Sequence, residues 1–437
     1  MRLDRLGNAV TGSAEAVALF DDGVDRSLRH DGGVADAARA ATQADPSFAA
    51  AHVLLALADP GDSAGALARA RALSQRSGTD YERSLTAFVD LLLGQGMWAA
   101  LQTGLDHARA HPRDLLGVGL VGTMVERSTR EDGHDAVLAV YAPSRRALGD
   151  HPYLLCMVGF VVQEQGRFAE AGAMAGRALE QQPASVTAAH LLAHVRYETA
   201  DHAGGLAWLD DFRAGMHPQG DYVHHLGWHA ALHTLALGET ERTLQRLGDL
   251  VVARADDARH VIDTGTLVMR CRLQGLVAPD DDPTEGRTVP PAAWLAEMPS
   301  VYLGFHAAVG LAVARRSHDL RALAHTCPRM VCPGASELLA PLAVALADYV
   351  DGAFAPAADA LAALRPTMHR WGGSRAQREV VEDMLIDAAI RGGRVAVATE
   401  VLAERVERRP NRWDTATLRS VTGGMWQAVP DDMPGHH

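Results

Sequence analysis

Four histidines near the middle of the chain form two pairs with the same spacing. His190 and His194 are four residues apart, as are His225 and His229, and the second pair follows the first after 35 residues. Side chains four residues apart lie on one face of an α-helix. Imidazole nitrogens ligate Zn²⁺ and Fe²⁺ and exchange protons near neutral pH. If neighbouring helices carry the pairs, the four residues predict a site for one divalent metal ion (Zn²⁺ or Fe²⁺) or a proton relay.

The offset of 35 residues is close to the period of helix-pair repeats. The clearest single unit is the 152–183 segment, whose positions 8, 20, 27 and 32 are Gly159, Ala171, Ala178 and Pro183. These are the small-residue and proline positions of a tetratricopeptide repeat, where small residues allow close helix packing and proline ends the second helix. Strand-like alternation is hard to find. The sequence therefore predicts an all-α fold, an α-α superhelix that is a tetratricopeptide-like solenoid of helix pairs.

The register of the repeat indicates which side chains face inward. In a tetratricopeptide array the first helix of each pair lines the concave groove, and positions 5 and 9 of the unit point into it. Counted from Val186, these positions are His190 and His194. In the preceding unit, Phe160 and Glu164 stand at positions 9 and 13. We therefore expect a carboxylate and an aromatic ring beside the histidines in the same groove.

This placement predicts the following roles. The candidate metal ligands are His190, His194, His225 and His229. The candidate catalytic groups, acting as ligand, proton carrier or general acid and base, are Glu164, His194 and His229. Phe160 is a candidate ligand-binding residue, and the neighbouring His224 and His233 are weaker members of the cluster. A row of neutral histidines is also typical of a groove that only binds a ligand, and this alternative stays open.

Composition excludes several classes of protein. All 41 basic residues are arginine, and without lysine neither a pyridoxal-phosphate Schiff base nor a P-loop can be built. A net charge of −13 argues against nucleic-acid and anionic-membrane partners, which need a basic surface. The segment GVGLVG (117–122) spells a dinucleotide-binding pattern, but it lies within a predicted helix instead of following a strand. We interpret its glycines as helix-packing residues.

The remaining composition predicts a cytoplasmic protein. The four cysteines are too few and too scattered for a disulfide framework or a paired-cysteine zinc site. The N-terminal segment carries charges throughout, unlike a secretory signal. No apolar run approaches the roughly 18–20 residues that span a bilayer.

The positions of the Gly, Pro and Asp residues that interrupt the helical segments predict two arrays of repeats that close on one groove. Residues 1–276 are predicted to form N-terminal helical repeats and residues 292–428 C-terminal repeats. Between them, the acidic and proline-rich segment 277–291 predicts a loop without regular secondary structure. The last residues, 429–437, predict a disordered tail.

Several segments resemble one protein family. They are GNAVTGSAEAVALFDDGV (7–24), AAHLLAHVRYE (188–198), HHLGWHAALHTLALGE (224–239) and the glycine–serine segment GGSRAQREVVEDMLIDAAIR (372–391). Together they are similar to the tetratricopeptide repeat protein 38 family over nearly the whole chain. The resemblance implies an α-solenoid and matches Glu164, His190, His194, His225, His229, Asp263, Arg270, His306, Gln377 and Arg378. It adds Asp263, Arg270, His306, Gln377 and Arg378 to Phe160 as candidate ligand-binding residues, and it implies no particular reaction.

The sequence departs from that family at some of the acidic positions. Tyr197 stands where the family tends to carry glutamate, and Glu379 replaces an aspartate. In the glycine–serine segment, Ser374 followed by Gln377 predicts a capping box at the start of a helix, so Ser374 is interpreted as structural. Arg378 is a candidate to hold an anionic group of a ligand.

Two functions fit these observations. The first is a small-molecule enzyme that uses a histidine-bound divalent metal in the concave pocket. The second is a non-catalytic scaffold that binds a peptide or a partner protein in the same groove. The groove is rich in histidine and poor in the arginine clusters that clamp peptide carboxylates, which favours the enzyme. The sequence leaves open whether the protein is a homodimer.

Overall fold

The computed structural model describes residues 2–216, 222–252, 258–278, 281, 283–284, 286–290, 295 and 298–423. Within these ranges the protein is almost entirely helical, with 22 α-helices and one two-stranded ribbon. The prediction of an all-α fold is confirmed. None of the helices in these ranges is long and apolar enough to cross a membrane.

The N-terminal part starts with the ribbon and continues with eight helices. Strand β1 (Arg2–Leu3) pairs antiparallel with β2 (Ala9–Val10). The helices that follow are α1 (Ala14–Arg29), α2 (Val34–Ala44), α3 (Ala49–Ala58), α4 (Ser63–Ser77), α5 (Asp80–Gln95), α6 (Met97–Ala110), α7 (Leu115–Glu126) and α8 (Gly133–Leu148).

The middle and C-terminal parts hold the remaining helices. The middle part has α9 (Pro152–Glu164), α10 (Phe168–Gln181), α11 (Val186–Glu198), α12 (His202–Ala214), α13 (Val223–Leu237), α14 (Thr240–Val252) and α15 (Ala258–Leu273). The C-terminal part has α16 (Val301–Val313), α17 (Ser317–Thr326), α18 (Ala340–Val350), α19 (Phe354–Leu364), α20 (Arg375–Arg391), α21 (Val395–Arg408) and α22 (Arg412–Val421). Shorter helical turns, two of 3₁₀ and one of π type, cover Cys327–Arg329, Arg365–Trp371 and Ala335–Leu339.

Successive helices pack against one another along the chain, which makes the fold a solenoid of helix pairs. The first helices of the central pairs, α9, α11, α13, α15 and α16, also pack side by side. We call them the inner row. Helix α20 packs against both α11 and α15. The C-terminal part of the chain therefore closes onto the inner row.

The apolar core changes over within α11. One cluster of buried side chains runs from Val10 to Val195 and a second from Tyr197 to Leu418. A smaller third cluster joins α11, α12 and α13 around Leu209 and Leu226. Helix α11 thus contributes to all three clusters, so the helix that carries His190 and His194 is held from several sides.

The segments expected to be irregular are described only in part. In the 277–291 segment, the described residues form turns and bends or have no regular structure. Its residues 279, 280, 282, 285 and 291, and the whole 429–437 tail, lie outside the described residues.

Glycines permit close helix contacts at the predicted positions. The 152–183 segment forms the pair α9 and α10. A Cβ atom added at Gly159 would lie 2.4 Å from Cδ2 of Leu191, so α9 approaches α11 of the next pair closely there. The GVGLVG segment lies inside α7, where a Cβ at Gly122 would lie 2.1 Å from the hydroxyl of Tyr141 on α8. These glycines are packing residues, as interpreted from the sequence.

The contact at Gly159 gives a prediction about stability. Gly159→Ala adds a methyl group to a packed contact with the fully buried Leu191, so we expect it to lower the free energy of unfolding by about 1–3 kcal/mol. Gly176 on α10 has open space at its Cβ position. Gly176→Ala should therefore raise stability by about 0.5–1 kcal/mol through helix propensity. Urea unfolding of both variants tests this, and equal effects would contradict the packing role.

Candidate metal centre

Helices α11 and α13 bring the two histidine pairs together. Helix α11 begins after Ser185, whose hydroxyl accepts a hydrogen bond from the backbone N–H of Ala188 at 3.3 Å. One turn further, His190 is followed by His194 on the same face. Helix α13 packs beside α11 and presents its own pair toward them. The arrangement expected from the 35-residue offset is therefore present.

The nitrogens of the four histidines converge. Nε2 of His190 lies 2.8 Å from Nε2 of His225 and 3.0 Å from Nε2 of His194. The ring centroids of His194 and His229 are 4.4 Å apart. Taking one nitrogen from each ring, all four lie within 4.8 Å of one another. In a tetrahedral zinc site the ligand nitrogens are about 3.3 Å apart, so small side-chain movements would suffice to hold a metal ion.

Asp263 of α15 orients one of the four rings. Its two carboxylate oxygens lie 3.1 and 3.0 Å from Nδ1 of His225. A carboxylate at this distance accepts a hydrogen bond from Nδ1–H, which leaves the lone pair of Nε2 pointing at His190. The indole of Trp228 stacks on the face of the ring, with centroids 5.4 Å apart. A carboxylate behind a histidine is the usual second layer of a metal site, where it fixes the tautomer and raises ligand basicity.

Three of the four rings, those of His190, His194 and His229, are kept neutral by their surroundings. Burial lowers the pKa of His194 to about 3 and lowers the pKa of His190 and His229 well below the ordinary value near 6.5. His229 is fully buried, and neither of its ring nitrogens has a hydrogen-bond partner among the described residues. Buried polar atoms normally have a partner. Imidazole nitrogens that lie within 4.8 Å of one another are chemically suited to bind a cation.

A large cavity adjoins the cluster. Its volume is about 670 Å³, within the range of small-molecule pockets. Three of the four rings line it, those of His190, His194 and His225, whereas His229 is not among its lining residues. The cavity also has an apolar part of its wall, to which α1, α3, α7 and α9 contribute residues such as Leu28, Leu54, Leu57, Leu116, Leu120 and Met157.

Glu164 is close to the cluster but is engaged elsewhere. Its carboxylate forms an ion pair with the guanidinium of Arg378 at 2.7 Å and accepts the backbone N–H of Arg375 at 3.0 Å. Burial alone would raise the pKa of Glu164, but Arg378 and the Arg375 N–H outweigh it and lower the pKa to about 2. The carboxylate therefore stays ionised and ties α9 to the start of α20. Glu164 lines the cavity without joining the four histidine nitrogens.

The glycine–serine segment forms the entry to α20. Gly372 and Gly373 adopt positive φ angles of 79° and 68°. Ser374 and Gln377 form a reciprocal capping box, so the structural interpretation of Ser374 is confirmed. The side-chain amide of Gln377 also donates to the hydroxyl of Tyr302 at 3.0 Å. This entry is thereby held against α16, which carries Tyr302.

The candidate ligand-binding residues divide into two groups. Phe160, Asp263 and Gln377 line the cavity. Arg270, His306 and Arg378 are not among its lining residues. His306 is buried beside the ring of Tyr302, with centroids 5.0 Å apart, and its two ring nitrogens have no hydrogen-bond partner within the described part of the chain.

Arg270 belongs to a buried network of charges. It donates to the backbone oxygen of Ala376 at 2.6 Å and to the hydroxyl of Tyr197 at 3.3 Å. Tyr197 in turn donates to Glu379 at 3.0 Å. Tyr197 and Glu379, two positions at which the sequence differs from the family that it resembles, thus contact each other. Arg409 pairs with the same carboxylate, and together the arginines keep the pKa of Glu379 low against the effect of burial.

Two polar cavity residues that the sequence interpretation did not identify are Tyr302 and Arg127. Tyr302 precedes His306 by four residues on α16, so the same helical spacing that paired the histidines could have identified it. Arg127 follows the last residue of α7. It lies in no motif, and only the fold places it at the cavity.

The ion pair between Glu164 and Arg378 should stabilise the closed solenoid. Both side chains are more than nine-tenths buried, and removing one partner leaves a buried charge unpaired. We expect Glu164→Gln to lower the free energy of unfolding by about 3 kcal/mol. Asp150→Asn is the control, because its pair with Arg177 is about half exposed and should contribute less than about 1 kcal/mol. Similar losses in both variants would contradict this role.

The neutral histidines make the metal-free protein sensitive to acid. In the unfolded chain His194 takes up a proton near pH 6.5, whereas in the folded protein its pKa is about 3. When folding lowers the pKa of a histidine, the unfolded chain binds the proton more tightly than the folded protein does. The free energy of unfolding therefore falls by about 1.4 kcal/mol per pH unit as the pH drops from the unfolded pKa toward the folded pKa. The free energy of unfolding should be measured at several pH values between about 6 and 4, with a chelator present for both proteins. It should fall less steeply with decreasing pH for His194→Gln than for the unmodified protein.

The matched control for this measurement is His318→Gln, because the His318 side chain is 96% exposed. Its pH dependence of unfolding should follow that of the unmodified protein. If His194→Gln also follows it, the ring of His194 is not held neutral by the fold.

Comparison with known protein families adds no assignment: no family model matches this chain. The functional argument rests on the residues of the cavity and on the geometry of the histidine cluster.

Proposed function

We propose that this protein is a small-molecule enzyme that depends on one divalent metal ion, Zn²⁺ or Fe²⁺, bound by His190, His194, His225 and His229. The observation that carries the proposal is the convergence of four histidine nitrogens within 4.8 Å beside a cavity. Metal sites of this donor type are typical of zinc and iron, since imidazole suits both ions.

The position of the cluster in the cavity wall indicates how a metal would act. His190, His194 and His225 line the cavity, so an ion bound by them would be accessible from it. An ion held there would lower the pKa of a bound water or polarise an oxygen of the substrate. The protein residues do the remaining work. Asp263 holds the ring of His225 in the ligating tautomer, and the apolar wall excludes water from the substrate.

The alternative of a scaffold that binds an extended peptide has weaker support. A peptide-binding solenoid needs an open concave groove. In this chain α20 packs onto α11 and α15 across the inner row, and the space that remains is a cavity of about 670 Å³. That volume suits a small molecule. The resemblance to the tetratricopeptide repeat protein 38 family is compatible with the proposal, because the matched residues include all four histidines and Asp263.

Metal content provides the direct test. We expect protein purified without chelator to contain about one zinc or iron ion per chain, measured by mass spectrometry of the elements. His194→Ala and His229→Ala each remove a ligand and should lose the metal on dialysis. Asp263→Asn keeps all four ligands but weakens the orientation of His225, so its affinity for Zn²⁺ should fall by about 10- to 100-fold.

The control variant is His224→Ala, which removes a histidine adjacent to His225 that is not one of the four converging residues. Its metal content should match that of the unmodified protein. Zn²⁺ added to the metal-free protein should also raise the melting temperature, since a ligand that binds only the folded state stabilises it. Absence of metal from the purified protein, together with no thermal shift on adding Zn²⁺ or Fe²⁺, would refute the metal site.

A further inference from the structure

The cavity contains one arginine whose charge is not matched by a hydrogen-bonded acceptor. Arg127 is the only arginine among the described residues that line it. The nearest carboxylate is that of Glu126, 3.9 Å from Nε of Arg127, which is beyond hydrogen-bonding distance. Glu126 instead accepts the backbone N–H of Gly373. Nε of Arg127 is buried without a hydrogen-bond partner in the part of the chain that the structure describes.

Unlike Arg127, the acidic side chains of the cavity have close partners within the protein. Glu164 pairs with Arg378, and Asp263 with His225. Asp31 lies 3.1 Å from a guanidinium nitrogen of Arg29. The lining carboxylates thus have partners from the protein. Arg127 is the group at which a ligand anion would gain most.

The surroundings of Arg127 suit a carboxylate. Its guanidinium lies over the ring of Tyr302, 4.8 Å from the centroid, in a cation–π contact. The hydroxyl of Tyr302 accepts a hydrogen bond from Gln377 at 3.0 Å, so its own hydrogen remains to be donated. A guanidinium fork matches a carboxylate with two parallel hydrogen bonds. Since Glu126 is close by, a doubly charged phosphate would meet repulsion that a monoanion meets less.

We propose that the substrate is an apolar-tailed monocarboxylate, whose carboxylate is bound by Arg127 and the hydroxyl of Tyr302. Its tail lies along the apolar wall formed by residues such as Leu54, Leu57 and Leu120. This inference rests on the proposed function, because it places the substrate in the same cavity as the histidine cluster. Arg127 and Tyr302 bind and position the substrate, and the histidines provide the site of chemistry.

Binding of three matched probes tests the proposal without knowledge of the reaction. Octanoate, 1-octanol and octyl phosphate share one tail and differ in the head group. Calorimetry on the metal-free protein should give octanoate the highest affinity of the three. Arg127→Gln should weaken octanoate about ten-fold or more and leave 1-octanol unchanged, since it removes charge-assisted hydrogen bonds. Tyr302→Phe keeps the ring and should weaken octanoate by a smaller factor.

The matched control is Arg130→Gln. Arg130 is about half exposed, pairs with Asp132 and does not line this cavity. This variant loses the same charge but should bind octanoate as the unmodified protein does. Far-ultraviolet circular dichroism shows whether each variant is folded. If Arg127→Gln does not fold, Tyr302→Phe still tests the proposed carboxylate site.

The outcomes separate this inference from the proposed function. If octanoate binds the unmodified protein no more tightly than 1-octanol, or if Arg127→Gln and Tyr302→Phe both leave its affinity unchanged, the monocarboxylate proposal is overturned. If octanoate binds only to zinc-loaded protein and loses affinity in His194→Ala but not in Arg127→Gln, the carboxylate binds the metal. That result would overturn this inference while supporting the metal site. If octanoate binding depends on Arg127 but the protein takes up no metal, the monocarboxylate inference is supported and the metal site is refuted.

Discussion

The closure of the cavity depends on the ion pair between Glu164 and Arg378. Glu164 ends α9 in the inner row, and Arg378 lies in the first turn of α20, 214 residues later. A solenoid of helix pairs has no intrinsic reason to fold back on itself, because each pair contacts mainly its neighbours. The buried charge of Glu164 requires a partner, and α20 supplies both the guanidinium of Arg378 and the backbone N–H of Arg375 at its N-terminus. Electrostatics therefore helps to hold α20 against the inner row.

A second set of buried charges holds α20 from its other side. Glu379 follows Arg378 in sequence and is surrounded by Arg270, Arg405 and Arg409, with Tyr197 donating a hydrogen bond. Neighbouring residues of α20 thus hold it against different helices, Arg378 against α9 and Glu379 against α11 and α15. Such networks are costly to assemble, since every charge loses its hydration, but removing one partner costs more. This makes the position of α20 well determined.

The histidine cluster places a different demand on the fold. Buried imidazoles with unpartnered nitrogens reduce the stability of the metal-free protein, and natural proteins retain such groups mainly where function requires them. The surrounding structure compensates locally. Asp263 contacts the Nδ1 edge of His225 and Trp228 stacks on its face, and α11 shares in all three apolar clusters. The proposed metal ion would stabilise the folded protein, because the buried imidazole nitrogens would then have a partner.

The sequence alone determined the class of fold and the composition of the cluster. Helical periodicity, the spacing of four within each histidine pair and the offset of 35 residues are local properties, and they predict both the inner row and the meeting of the two pairs. The capping box at Ser374 is equally local. Only the tertiary structure decided that Asp263 supports His225, that Glu164 is tied to Arg378 instead of joining the histidines, that Arg270 is buried among charges, and that Arg127 lines the cavity. These contacts depend on how small rotations between successive helix pairs add up over the whole chain, and no short stretch of sequence contains that sum.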